Sequence, residues 1–150
     1  MNRRFWLIGI IVLVVGAGLG ALAAWWTTQS ESRMPSAPPI EGAAASFRVV
    51  VEKQIELPAG VRTKFFRAVL QVSSGTAATV ARDYLNQKAE AGPLSDLYEL
   101  FTTQGRVLAV GPALAGRIER IPAEIKKILT PWKTVQLLGS ARGFIVYAVR

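Results

Sequence analysis

From Phe5 to Trp26 the chain carries no charged residue. At ~1.5 Å of rise per residue, a helix of these 22 residues reaches about 33 Å, enough to cross a hydrocarbon core of ~30 Å. Trp6 stands at one end and Trp25 and Trp26 at the other, where amphipathic indoles settle at the two interfaces of a bilayer. The stretch therefore predicts a transmembrane helix over residues 5–26. It dictates where the rest of the chain is placed.

Two other readings share these letters. Gly16, Gly18 and Ala21 match the G-x-G-x-x-A of a dinucleotide-binding turn. That turn needs an amphipathic helix and then a second strand ending in an acid. Here the following helix would be apolar all round, and "RMPSAPPIE" occupies the place of the second strand. Its prolines remove ladder donors, so the cofactor reading fails. An export signal is the other alternative, with Arg3 and Arg4 as its basic start and Ala21-Leu22-Ala23 as its cleavage site. The apolar run exceeds the roughly 7–15 residues of such signals, and Trp25 and Trp26 make an odd mature start, which favours an uncleaved signal-anchor. Cleavage stays open at this point.

Orientation follows from Arg3 and Arg4, because Glu31 and Arg33 on the far side cancel. The positive-inside rule puts residues 1–4 in the cytoplasm and the C-terminal domain outside it, in the periplasm of an inner-membrane protein. Gly16, Gly20 and Ala24 form a row of small residues four apart, a face for helix packing against a second copy or another membrane protein.

Residues 27–45, rich in Ser, Pro, Ala and Gly, read as an extended linker. Residues 46–150 remain for one modest core and predict an α+β domain: a mainly antiparallel sheet with two to four helices on one face. In "FRVVVEKQIEL" the residues Phe47, Val49, Val51, Ile55 and Leu57 share one side of a half-buried strand; "VRTKFFRAVLQV" reads as a strand returning beside it in a hairpin, or as a short helix, since Phe65, Phe66, Val69 and Leu70 fit that period too. "SGTAATVARDYLNQKAEAG" reads as a helix with Ala77, Val80, Ala81, Tyr84 and Leu85 inward, a Ser/Thr cap before it and Gly92 after it. "PLSDLYELFTTQG" reads as a second helix on the stripe Leu94, Leu97, Tyr98 and Phe101, with Asp96 and Glu99 explained by its positive end. "RVLAVG" is a short buried strand. "PALAGRIERIPAEIKKILTP" carries the stripe Leu114, Ile118, Ile121, Ile125 and Ile128, kinked or restarted at Pro122. The C-terminal residues read as two strands around "GSARG".

Chemistry is constrained by absences. The sequence has no cysteine and no histidine. That removes disulfides, thiolate metal sites and the commonest general base and soft-metal ligand. The carboxylates show no spacing that forces two of them into one cleft, and "SSGTAAT" lacks the lysine of a phosphate loop and reads as a helix cap. No catalytic, metal or cofactor-binding residue is nominated, and no cofactor is expected. What stands out is charge: residues 46–150 hold 15 Lys/Arg against 8 Asp/Glu. Arg117, Arg120, Lys126, Lys127, Lys133 and Arg142 are the candidate surface for an anionic partner. The expectation is a non-enzymatic, single-span accessory subunit or assembly factor of a larger inner-membrane complex. The alternative is an exported module that binds an anionic envelope surface, either lipid headgroups or cell-wall polymer. Membrane proteins and membrane lipid are the expected partners, and nucleic acid is not.

Overall fold

Six segments rich in β-branched and aromatic residues pair into one mixed sheet in the computed structural model, which describes residues 37–150. The strands are β1 (Ser46–Ile55), β2 (Phe65–Ser74), β3 (Leu97–Thr102), β4 (Gly105–Val110), β5 (Val135–Ala141) and β6 (Phe144–Val149). Their order across the sheet is β1-β2-β3-β4-β6-β5. Only β2 and β3 run parallel; the other four pairings are antiparallel. A parallel pair needs a long crossover, and the helix α1 (Ala77–Ala91) supplies it. Among the described residues no helix is long and apolar enough to cross a membrane. The expected span 5–26, with Trp6, Trp25, Trp26, Gly16, Gly20 and Ala24, lies outside the described residues.

Alternation on the strands builds two cores, one on each face. On β2, Ala68 and Leu70 face α1, where they meet Val80, Ala81, Tyr84 and Leu85. Phe65 turns the other way and packs with Leu97, Leu108 and Val110. The chain between β4 and β5 covers that second face with Leu114, Ile121, Ile125 and Leu129. The expectation of helices on one face is thus corrected: the sheet is a middle layer. Tyr98 anchors the first core, with ring centroids 5.8 Å from Phe66, 5.8 Å from Tyr84 and 5.7 Å from Phe144.

The α1 cap is as the sequence predicts. Thr76 accepts from the Thr79 N–H at 3.2 Å, and the Thr79 hydroxyl accepts from the Thr76 N–H at 2.9 Å. These reciprocal bonds satisfy donors that the first turn leaves orphaned. Several other expectations are corrected. The helix predicted over "PLSDLYELFTTQG" is strand β3. Leu97, Tyr98, Glu99 and Leu100 are all buried, because β3 has a strand on each side and a layer on each face. A strand buried on both faces reads as a continuous apolar run, and that run mimicked a helical stripe.

The isoleucine stripe restarts as a short helix at Pro122, as expected, but no helix of ordinary length precedes it. It breaks into 3-10 turns at Pro112–Leu114 and Ile118–Arg120 and a four-residue helix α2 (Ala123–Lys126). The break is local: Ala115 and Gly116 take left-handed φ values of 53° and 63°, and Pro122 precedes α2. In β1 an extra residue at Val50 shifts the register between Val49 and Val51. Phe47 and Val49 consequently pack toward α1, whereas Val51 pairs with Val69 and Ile55 joins the second core. The predicted single face of β1 is split in two by the bulge.

The last hairpin turns at Arg142-Gly143, with φ values of 54° and 81°. Gly139 and Ser140 belong to β5 rather than to the turn. Gly139 is required where the chain's first described residues cross β5: a Cβ there would lie 2.7 Å from Ile40 Cγ1. The Ile40 N–H donates to the Ser140 carbonyl and the Ser140 N–H to that of Pro38, each at 2.9 Å. Of the expected linker, residues 27–36 are outside the description. Residues 37–45 are laid against the domain, and Ile40 is buried in the first core.

Candidate functional site

The most concentrated charge chemistry lies on the second face, at a residue assigned from sequence to a helix dipole. Glu99 sits on β3 with Leu97 and Phe101 on either side of it in alternation, and its side chain is wholly buried. The parallel register sets Arg67 of β2 directly beside it. Arg67 Nε donates to Glu99 Oε1 at 2.6 Å. Arg106 of β4 brings NH1 to 3.6 Å from Oε2, and the Thr130 N–H donates to the same oxygen at 3.3 Å. A buried carboxylate is tolerated only when it is paired and hydrogen-bonded, and here both oxygens are engaged.

The two arginines extend the cluster to the covering chain. Arg67 NH2 donates to the Ile128 carbonyl at 3.0 Å. Arg106 donates to the carbonyls of Thr130 and, at 2.9 Å, Pro131. Their guanidinium groups also lie over rings: Arg67 is 5.4 Å from the Phe65 centroid and 5.9 Å from Phe101, and Arg106 is 5.9 Å from Trp132. The cluster thus bolts residues 128–131 onto three strands. The replacement of a helix-dipole role by this one corrects the reading of Glu99. Asp96 is corrected likewise: its Oδ2 accepts from the Lys64 N–H at 2.8 Å, tying the start of β3 to that of β2.

Two more acids act on the α1 side. Asp83 accepts from Arg82 Nε at 2.9 Å and from the Ala45 N–H at 2.7 Å. Burial opposes the charged form, but these hydrogen bonds outweigh it and hold the Asp83 carboxyl below its usual range. Arg82 also binds the carbonyls of Gly42 and Ala43 at 3.0 and 3.1 Å, so the pair pins the entering chain to α1. Glu52 binds Lys88 and accepts from the Tyr84 hydroxyl at 3.3 Å. Burial, reinforced by the Glu52 charge, pushes the Tyr84 phenol well above its ordinary value. Among the described residues no group of three carboxylates stands close enough to hold a metal ion.

Of the six cations nominated from sequence, four lie between Arg117 and Lys127 and two flank β5. Lys126 and Lys127 are exposed at the end of α2. Arg120 is exposed in the preceding 3-10 turn, and Arg117 is half-buried at that turn's start. Lys133 and Arg142 flank the seven-residue β5 at opposite ends. At ~3.3 Å per residue they are more than about 20 Å apart and belong to no common patch. Arg142 instead donates to Asn86 Oδ1 of α1 at 2.9 Å.

Sequence reasoning missed the corner where β1 and β2 run past the covering chain. Val50, Val51, Val69 and Ile128 are exposed there, by 52, 54, 40 and 37%. Arg48 and Lys53 on β1, and Lys127 next to Ile128 in the chain, are exposed as well. The signal was weak because Val51 counts as an inward residue until the bulge at Val50 is known. An open concavity of about 540 Å³ lies nearby in the β1–β2 connection, between Gln54 and Lys64. Comparison with protein-family models, curated proteins and solved structures gave no match, so the reading of this molecule rests on its own residues.

Proposed function

We propose that the chain is a non-enzymatic, single-span accessory or assembly subunit of an inner-membrane complex. On this reading residues 5–26 anchor it with the N-terminus in the cytoplasm, and the Gly16, Gly20 and Ala24 face packs on a partner helix. The domain then docks from the extracytoplasmic side. The observation that carries the reading is the use of its buried charge: Glu99, Arg67 and Arg106 hold the covering chain to the sheet. A carboxylate saturated by its own protein is a structural fastening, as a rigid docking platform requires. Extraction in mild detergent followed by native electrophoresis tests the proposal. Co-migration with other membrane proteins is the expected result, and a lone monomer under every condition contradicts it.

The second reading is a module that binds an anionic envelope surface. It is favoured by one specific observation, the aliphatic corner with Arg48, Lys53 and Lys127 exposed on the same segments. Exposed apolar groups with a charged rim are what a docking surface presents.

A further inference from the structure

We infer that the β1–β2 corner of the second face rests on an anionic phospholipid surface. This rests on the second reading above and on the anchor over residues 5–26, and it gives that reading a site and a partner. Four of the six large apolar side chains most exposed among the described residues gather here: Val50, Val51, Val69 and Ile128. The register makes them neighbours. Val51 pairs with Val69 across β1 and β2, and Lys53 pairs with Arg67 in the adjacent row. Arg67 in turn reaches the Ile128 carbonyl at 3.0 Å, which brings the end of the covering chain beside the same strands. Arg48, hydrogen-bonded to Gln71 at 3.0 Å, borders the far side.

Basic side chains outnumber acidic ones around this corner. Glu52 binds Lys88 and Tyr84 on the α1 face, and Glu99 is buried between two arginines. Glu124 stands on α2 before Lys127 and Glu56 just past β1, yet Arg48, Lys53 and Lys127 still outnumber them. Two copies meeting through this corner would oppose like charges, which disfavours self-association. The partner must therefore carry negative charge and accept short aliphatic groups. An anionic bilayer surface does both: long basic side chains reach headgroups while β-branched groups enter the interface, with no need for a shaped pocket.

The absence of cysteine from the chain makes single-site labelling direct. The full chain carrying Val51→Cys is labelled with an environment-sensitive dye and assembled in nanodiscs containing a lipid-borne quencher. Neutral and anionic lipid compositions are compared. Gln87→Cys, exposed on α1, serves as the control. Quenching of the Val51→Cys label in anionic discs at least about fivefold stronger than in neutral ones is expected, with loss at high salt and in the Lys53→Glu/Lys127→Glu background. The Gln87→Cys label should show no such difference. Equal quenching in both lipids, or equal quenching at both positions, overturns the proposal. Shielding of the Val51→Cys dye in native membranes without quenching in anionic discs assigns the corner to an acidic protein and also overturns it. Co-elution of the chain with the disc scaffold reports the anchor separately. If the anchor fails, vesicles of the same two compositions are added to the labelled chain, and the same comparison decides the corner.

Discussion

A single acid, Glu99, shows how a residue's surroundings decide its role. In "LYELF" it has the parity of Leu97 and Phe101, so any strand there carries it into the core. An acid in that position implies basic partners on neighbouring strands, and Arg67 in "FFRAVL" and Arg106 in "GRVLAV" are those partners. Glu99→Ala leaves two arginines facing one another, although partial exposure of Arg67 lets water relieve the repulsion. A loss of about 2–4 kcal/mol in urea unfolding is expected, with Glu99→Gln intermediate. Asp83 sets an acid-side dependence. Its carboxyl is lowered in the fold, so its contribution is complete above the unfolded value of about 3.9 and disappears as pH falls through the lower folded value. Wild-type protein should therefore lose stability relative to Asp83→Asn only below about pH 4, read from urea midpoints across pH. Tyr84 has the opposite sign. Its phenol is raised, chiefly by burial, so its contribution holds below about pH 10 and is lost on the alkaline side. Tyr84→Phe should flatten that alkaline loss in the same measurement.

Elements were legible where one period dominates. The α1 stripe and its cap followed from Thr76, Val80, Ala81, Tyr84 and Leu85, and the terminal hairpin from its two apolar runs. The helix predicted at β3 failed because a strand buried on both faces has no alternation to display. The isoleucine stripe was legible in part: the restart at Pro122 is there, the longer helix before it is not. Its apolar positions do largely face the core, but Gly116 and Pro122 divide the backbone into short turns. Neither the bulge at Val50 nor the left-handed Ala115 has a local signature, and the exposed corner depends on the first of them. The Glu99 cluster was hidden for a related reason: its members are joined only by strand pairing, which no linear spacing reports. At this scale Gly139 is the sharpest test. A side chain there meets Ile40 and the Pro38 carbonyl, at 2.7 and 2.9 Å from its Cβ, on a backbone with φ of 147°. Gly139→Ala should cost about 1–3 kcal/mol and speed hydrogen exchange at the Ile40 amide, leaving the α1 amides protected.

At the scale of the molecule, the described residues form three layers with the sheet between two cores. Strand order adds a consequence for synthesis. β6 follows the other described strands in the chain, yet it lies inside the sheet between β4 and β5. Until residues 144–149 emerge, β4 has an open edge and β5 has no neighbour to pair with. Ser140, which receives Pro38–Ile40, is likewise out of place until then. Residues 38–40 therefore close against it only after β6 has been made. A chain stopped at Gly143 should be trapped in this open form, cleaved rapidly by protease near residues 37–45, while the full chain resists. The entering chain is thus a seal that sets only when β6 is in place.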